Sequence, residues 1–194
     1  MANNEHVRRF LREMTACVAT SGIEEAARIA QARDLMTELI SRDDWLPDEF
    51  AVPHPQYYRQ YLLYCDPLER FSLVSFVWGP GQSTPIHDHT VWGVIGMLRG
   101  SEISQRFELD GDGGPMRELG ETRLLEGDVE VVSPTFGDIH RVENAFKDRV
   151  SVSIHLYGGN IGAVRRHVYD RRTGAPKSFI SGYTSSHKPN FWSD

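Results

Sequence analysis

Residues 81–100 read GQSTPIHDHTVWGVIGMLRG and place two histidines, His87 and His89, with one residue between them. Residues two apart on a β-strand point to the same side, so both imidazoles can converge on one point. Such a pair needs a third ligand to complete one face of a metal ion. His140 is the best candidate, because the proline and glycine in residues 134–140 suit a tight turn against a neighbouring strand. A His-x-His pair alone also arises by chance on a solvated strand, so the prediction depends on its surroundings.

The composition favours one globular domain that binds neither membranes nor nucleic acid. The chain has 194 residues, of which 21 are basic and 27 acidic, and this balance argues against a general nucleic-acid binder. No apolar run approaches the roughly 20 residues that a membrane helix needs, and the charged first twelve residues predict no secretory signal. Two cysteines, Cys17 and Cys65, are too few for a disulfide framework, so we expect a cytoplasmic protein.

The pattern of apolar residues predicts helices first and strands afterwards. Apolar residues between Val7 and Val18 follow one helical face, and a second helix is expected from Ile23 to Ile40 with Ser21 as its N-cap. Prolines and glycines then separate segments typical of strands, at residues 57–64, 71–78, 92–98, 102–109, 128–133 and 150–157. We expect a mostly β protein, a small β-barrel or jelly-roll with an N-terminal helical segment packed on it. A single domain is predicted over residues 1–194, with helices in 1–45 and the barrel and a C-terminal tail in 46–194.

The strand predicted at residues 150–157 has two chemically different faces. Its even-numbered residues are apolar, whereas Ser151, Ser153, His155 and Tyr157 are polar and point the other way. In a barrel, the apolar face can pack under a covering layer while the polar face lines a cavity. An edge strand with its polar face in water is the alternative.

These patterns together resemble the two motifs of the cupin family. The first motif is matched by Gly81, His87, His89, Gly93 and Gly100. The second motif is matched, with an extra residue before and after the proline, by Gly127, Pro134, Gly137, His140 and Asn144. Cupins usually carry a glutamate ligand where this chain has Gly93, and the loss of that glutamate leaves a three-histidine site.

A cupin with three histidines and no glutamate resembles the thiol dioxygenases of the cysteine dioxygenase family, and the resemblance covers essentially the whole chain. It implies Fe(2+) held by His87, His89 and His140, a small thiol carboxylate as substrate, and O2 as the second substrate.

The same resemblance implies a relay of Ser153, His155 and Tyr157 beside the iron. Some family members crosslink a cysteine to this tyrosine. The corresponding residue here is Gly93, so we expect no crosslink.

The residues that would hold the substrate carboxylate differ from those of the cysteine-specific members. Those members use an arginine where this chain has Gln60, and the adjacent Arg59 should point to the other sheet face. Gln-type bacterial members resemble 3-mercaptopropionate dioxygenases, and Arg166 matches an arginine that they place near the substrate carboxylate, with Arg165 as the neighbouring alternative. We therefore expect conversion of 3-mercaptopropionate to 3-sulfinopropionate. The alternative is a cysteine dioxygenase that produces cysteine sulfinate.

Two other functions are weighed against this one. A cupin isomerase or hydrolase would use zinc or manganese as a Lewis acid, but the missing glutamate counts against it. A non-enzymatic small-ligand sensor would hold no stoichiometric metal.

Three further histidines have no converging partner and are expected at the surface or in the tail, namely His6, His167 and His187. The sequence leaves the oligomeric state open.

Overall fold

Two helices precede a set of β-strands in the computed structural model, which describes residues 4–111 and 114–185. The helices are α1 (Asn4–Ala19) and α2 (Glu25–Ile40), followed by a short 3-10 helix at Asp48–Ala51. The strands are β1 (Arg59–Cys65), β2 (Ser72–Trp78), β3 (Gly93–Arg99), β4 (Ser101–Glu108), β5 (Arg117–Leu125), β6 (Val129–Val132), β7 (His140–Asn144), β8 (Ser151–Tyr157), β9 (Arg166–Tyr169) and β10 (Pro176–Phe179). The predicted mostly β fold with N-terminal helices is confirmed.

The strands form antiparallel sheets that surround one cavity. The larger sheet has the order β1-β2-β8-β3-β6, and the smaller has the order β5-β4-β7. A third ladder pairs β9 with β10. The cavity is lined by residues of β1, β2 and β8 from the larger sheet, β7 from the smaller sheet, and β9 and β10. Six of the strands therefore contribute side chains to the wall of this cavity.

The helices cover the face of the larger sheet that points away from the cavity. Apolar residues of α1 and α2 share one core cluster with Val152, Ile154 and Leu156 of β8. An added Cβ on Gly96 of β3 would lie 2.8 Å from Cγ of Met36 in α2, so this glycine allows the helix to approach the sheet closely. The predicted covering layer over the apolar face of β8 is confirmed.

Some local predictions are wrong at the level of single elements. The second helix begins at Glu25, and its N-cap is Glu24 without a side-chain cap bond, instead of the expected Ser21. Strand β5 was not predicted because it is exposed at all but one position and lacks an apolar alternation. Strands β7, β9 and β10 were also missed, since each has only four or five residues.

No helix within residues 4–111 or 114–185 is both long and apolar enough to cross a membrane. The chain beyond residue 185, which includes His187 and the end of the predicted tail, lies outside the described residues.

Candidate metal centre

Three buried histidines meet at one end of the cavity. His87, His89 and His140 each offer a ring nitrogen, and these atoms all lie within 4.8 Å of one another. The three ring centroids are 4.9 Å apart in every pair. The structure therefore brings the three sequence-predicted ligands together at a spacing that suits a single ion.

The expected strand around His87 and His89 is wrong. The segment is a loop that pairs only through isolated bridges, from His87 to His140 and to Val168. The backbone N–H of each of His87 and His140 donates to the carbonyl of the other, at 2.9 and 3.0 Å. Two of the predicted ligands are thus fixed to each other through backbone hydrogen bonds, although they are 53 residues apart in the chain (87 against 140).

A hydrogen bond at Nδ1 orients each of the three rings. Nδ1 of His87 lies 3.1 Å from the Pro85 carbonyl oxygen, and Nδ1 of His140 lies 3.1 Å from Oγ of Ser104. Nδ1 of His89 lies 2.8 Å from Oδ1 of Asp138. Carbonyl and carboxylate oxygens only accept, so Nδ1 carries the proton in His87 and His89 and leaves Nε2 free for a metal. This donor set fits a divalent transition metal.

Burial keeps His87 and His140 neutral. It lowers the pKa of His87 to about 3, with a further lowering from His89. Burial likewise lowers the pKa of His140 well below its ordinary value. Neutral imidazole is the form that binds a metal, so these side chains need not lose a proton before they coordinate.

Asp138 is a site residue that sequence reasoning missed. Its Oδ2 accepts backbone N–H bonds from His89 at 2.9 Å and from Thr90 at 2.8 Å. Burial raises the pKa of Asp138, but the hydrogen bonds from His89 outweigh it and the net shift is downward. Thr90 has a φ of 59°, an uncommon conformation for a residue with a Cβ, and the Asp138 contact supports it. The only sequence signal was an acid two residues before a predicted ligand.

The row of polar side chains on β8 forms a continuous hydrogen-bonded chain. Tyr157 Oη lies 2.8 Å from Nδ1 of His155, and Nε2 of His155 lies 2.8 Å from Oγ of Ser153. Nε1 of Trp78 donates to the same Ser153 oxygen at 3.1 Å. The ring of Phe76 stacks on His155 at a centroid distance of 4.1 Å. All three members of the chain are buried.

This hydrogen-bonded chain ends beside the histidine cluster. The ring of Tyr157 stacks against His89 with centroids 5.3 Å apart. Burial raises the pKa of Tyr157 and lowers the pKa of His155, so the phenol keeps its proton and the imidazole stays neutral. An added Cβ on Gly93 would lie 3.0 Å from two ring carbons of Tyr157. The glycine that replaces the usual glutamate therefore leaves room for the tyrosine ring.

The cavity has a volume of about 190 Å³ and is lined by the histidines, by Tyr157 and by an arginine. Arg166 is buried, its Nη2 donates to Oγ of Ser181 at 2.6 Å, and its guanidinium lies 4.8 Å from the ring centroid of Phe179. Its Nε is buried without a hydrogen-bond partner among the described residues. Within those residues no carboxylate forms an ion pair with it, so the cavity wall carries an unneutralised positive charge.

Arg165 and Arg59, the sequence neighbours of Arg166 and Gln60, do not line the cavity. Arg165 is exposed. Gln60 lines the cavity and donates from Nε2 to the Gly182 carbonyl at 2.5 Å. Arg59 instead donates to the hydroxyl of Tyr61 at 2.6 Å. The structure thus places Gln60 and Arg166 in the cavity and leaves Arg59 and Arg165 outside it.

His167 has a partner, so its expected role as an isolated surface residue is wrong. Asp88 is buried and accepts from the backbone N–H of His167 at 2.7 Å, from Nδ1 of His167 at 2.9 Å and from the hydroxyl of Tyr169 at 2.7 Å. The residue between the two histidines therefore holds β9, the strand on which Arg166 lies.

A family model and the curated relatives point to the same family. The family model described as "Cysteine dioxygenase type I" matches residues 27–172. Cysteine dioxygenase type 1 of Rattus norvegicus is 32% identical over 107 residues, which are 54% of this chain and 52% of that protein. The protein of the same name from Homo sapiens is 33% identical over 107 residues, with the same coverage. The chain thus spans about half the length of these curated relatives.

One solved structure with a partial likeness is an uncharacterized conserved protein with a double-stranded beta-helix domain from Klebsiella pneumoniae subsp. pneumoniae. It has a TM-score of 0.48 and 17% identity, and the match covers 62% of this chain and 95% of that chain.

Proposed function

Because the chain belongs to the cysteine dioxygenase type I family, we propose that it is a non-haem iron(II) thiol dioxygenase acting on a small thiol carboxylate. One observation carries the proposal. Three buried imidazoles converge in a cavity that also contains a tyrosine hydroxyl and an unneutralised arginine, Arg166. A metal-dependent isomerase would have no evident use for that combination.

His87, His89 and His140 would hold the iron. Three neutral ligands leave the full double charge of the ion uncompensated, which favours anionic ligands and lowers the pKa of a bound thiol. When bound, ferrous iron supplies the redox and Lewis-acid chemistry that brings a thiolate and dioxygen to reaction.

The proposed reaction balances without any further reductant. The thiol R–SH and O2 give the sulfinic acid R–SO2H, in which both oxygen atoms have formed bonds to sulfur. The O–O bond breaks, sulfur loses four electrons and dioxygen gains them. A sulfinate is otherwise reached by uncontrolled oxidation of a thiol, so the cavity has to restrict access to one thiol at a time.

The residues of this chain supply binding, orientation and a proton. Arg166 would pair with the substrate carboxylate, because a buried guanidinium binds a carboxylate with two parallel hydrogen bonds. Tyr157 would hold its hydroxyl proton at the open side of the histidine cluster, and His155 and Ser153 would orient that hydroxyl through the observed hydrogen bonds.

The preferred substrate in this proposal is 3-mercaptopropionate, with 3-sulfinopropionate as product. Support comes from Gln60, which offers an amide to the cavity where an arginine would offer a charge. L-cysteine also carries an amine, and its own charge would be added to the positive charge of Arg166 and the metal. Cysteine itself is the second candidate, because the curated relatives are named cysteine dioxygenases.

Oxygen uptake by the iron-loaded protein tests the proposal. We expect kcat/KM for 3-mercaptopropionate to exceed that for L-cysteine by roughly tenfold or more, the equivalent of about 1.4 kcal/mol. A higher value for L-cysteine would overturn the substrate assignment. Absence of oxygen uptake with either thiol, in protein shown to contain iron, would overturn the proposed activity.

Substitution of the cavity arginine tests how the carboxylate is held. Arg166→Gln should raise KM for 3-mercaptopropionate by roughly ten- to a hundredfold, because a hydrogen bond to a charged group contributes about 1.5–3 kcal/mol. Arg165→Gln is the matched control, since Arg165 is the exposed neighbour, and its KM should stay within about twofold of the native value. Equal effects of the two substitutions would remove Arg166 from substrate binding.

A further inference from the structure

A buried acid lies at the inner end of the Ser153–His155–Tyr157 chain. Glu102 on β4 is 1% exposed, and its nearest polar neighbours include Ser153 and Trp78. Its Oε1 is buried without a hydrogen-bond partner among the described residues. No ion pair with a basic side chain neutralises it within those residues.

The surroundings of Glu102 favour its neutral form. Burial raises the pKa of Glu102 to about 8, aided by the charge of Glu130, while hydrogen bonds with Ser153 and Trp78 lower it. The residues opposite Glu102 on β5 and β7 are Leu124 and Asn144, which carry no charge. Within the described part of the chain, the charged or titratable groups near Glu102 include Glu130 on β6, which pairs with Arg106, and Tyr157 on β8, while His155 is reached through Ser153.

The direction of the hydrogen bonds that run from Ser153 through His155 to Tyr157 depends on Glu102, because each of these groups has a fixed number of protons to donate. Ser153 has one hydroxyl proton, and the indole of Trp78, which can only donate, occupies one of its lone pairs. If Glu102 donates to Ser153, the Ser153 proton goes to Nε2 of His155. Nδ1 of His155 then carries a proton and donates to Tyr157 Oη. The phenolic proton of Tyr157 is therefore left to point into the cavity.

If Glu102 is ionised, each of these hydrogen bonds runs in the opposite direction. Glu102 accepts the Ser153 proton, so Ser153 must accept from Nε2 of His155. Nδ1 of His155 then has no proton and accepts from Tyr157. The phenolic proton then points towards His155 and away from the cavity. Tyr157 Oη offers the substrate only a hydrogen-bond acceptor.

We propose that Glu102 is a positioning residue which, by donating to Ser153, sets the direction of the hydrogen bonds that end at Tyr157 and presents the phenolic proton to the cavity. It touches neither the substrate nor the histidine cluster. Its consequence for turnover rests on the proposed dioxygenase function, but its effect on the tautomer of His155 does not.

The tautomer can be measured without any catalysis. Nitrogen-15 NMR of the full chain loaded with zinc(II) distinguishes Nδ1–H from Nε2–H in His155, with the signal assigned by its loss in His155→Asn. We expect Nδ1–H at about pH 7 and a change to Nε2–H with a midpoint near the Glu102 pKa of about 8. In Glu102→Gln, which cannot ionise, the tautomer should be the same from about pH 6.5 to about pH 9.5.

Glu130→Gln is the matched control, because it removes a neighbouring carboxylate that pairs with Arg106 instead of Ser153. The transition should persist there with its midpoint shifted to lower pH, since the charge of Glu130 raises the pKa of Glu102. A native protein without the transition, or a Glu102→Gln protein that keeps it, would overturn the proposal.

Kinetics supply a second, separate readout. The kcat for thiol-dependent oxygen uptake should fall above about pH 8 in the native protein and stay level in Glu102→Gln, with KM changed by less than about twofold in both. Glu102→Leu should lower kcat by roughly ten- to a hundredfold, but have no further effect in a Tyr157→Phe background. A full loss in that background would assign Glu102 a merely structural role. If no thiol supports oxygen uptake, the proposed function fails while the NMR experiment still decides the role of Glu102.

Discussion

At the residue scale, the orientation of the histidine cluster depends on hydrogen-bonding groups that are not themselves among the three predicted ligands. The carbonyl of Pro85, the hydroxyl of Ser104 and the carboxylate of Asp138 each hold one Nδ1. Asp138 differs from the other two because it is charged and also accepts two backbone N–H groups. It places a negative charge one ring away from the proposed ion, in a site whose direct ligands carry none.

Asp138→Asn should weaken metal binding by roughly ten- to a hundredfold, because it replaces an anionic acceptor by an amide and disturbs the orientation of His89. Competition between the protein and a chromophoric chelator for iron(II) measures this affinity. Asp128→Asn is the control, since Asp128 accepts a backbone N–H in an exposed turn away from the cavity. An affinity that is unchanged in Asp138→Asn would mean that His89 needs no carboxylate behind it.

Single residues were predictable from the sequence where a motif spaces them regularly. His87, His89 and His140 stand out in this way, and so do Ser153, His155 and Tyr157. Asp138, Glu102 and Trp78 were missed because their partners are distant in the chain, and only the folded structure brings them together. The sequence does not distinguish a buried glutamate such as Glu102 from an exposed one, although burial changes its pKa.

At the scale of elements, β8 lies between the core beneath the helices and the cavity. Its apolar face belongs to the core beneath the helices, and its polar face holds the hydrogen-bonded chain in the cavity. This division follows from the two-residue period of a strand, which is why the alternation at 150–157 predicted it. Strand β5 is exposed nearly throughout, so no such period marks it in the sequence.

The contact between α2 and β3 should tolerate no side chain at residue 96. Gly96→Ala should destabilise the protein by about 1–3 kcal/mol relative to Gly159→Ala, because its Cβ would collide with the buried Met36. In Gly159→Ala the nearest atoms lie 3.6 and 3.7 Å from the new Cβ. Both changes restrict the unfolded chain equally, so the difference in urea unfolding reports the packing. Equal stabilities would show that α2 shifts without loss.

At the scale of the whole molecule, opposite pKa shifts should give the metal-free protein a maximum of stability near pH 6.5. The pKa values of His87, His140 and His155 are lowered from 6.5, so the unfolded chain binds more protons below that pH and stability falls on acidification. The pKa of Glu102 is raised from 4.5 to about 8, so stability also falls as the pH rises towards 8. Each group contributes about 1.4 kcal/mol per pH unit in its own range.

Urea unfolding of the metal-free protein at about pH 5.5, 6.5 and 8 measures this profile. The free energy of unfolding should fall on both sides of the maximum, and it should fall more steeply on the acid side, where three histidines act against one glutamate. In Glu102→Gln the decline above about pH 6.5 should disappear while the acid decline remains. Stability that rises steadily to pH 8 in the native protein would contradict the buried, neutral carboxyl.

Adjacent side chains in residues 87–89 make two different kinds of contact. The histidines face the proposed ion, while Asp88 accepts hydrogen bonds from His167 and Tyr169, which follow Arg166 on β9. Disorder in this loop would therefore release Arg166 as well. The segments that would hold the cation and the carboxylate therefore share three consecutive residues, and a substitution that disorders this loop should impair both kinds of binding.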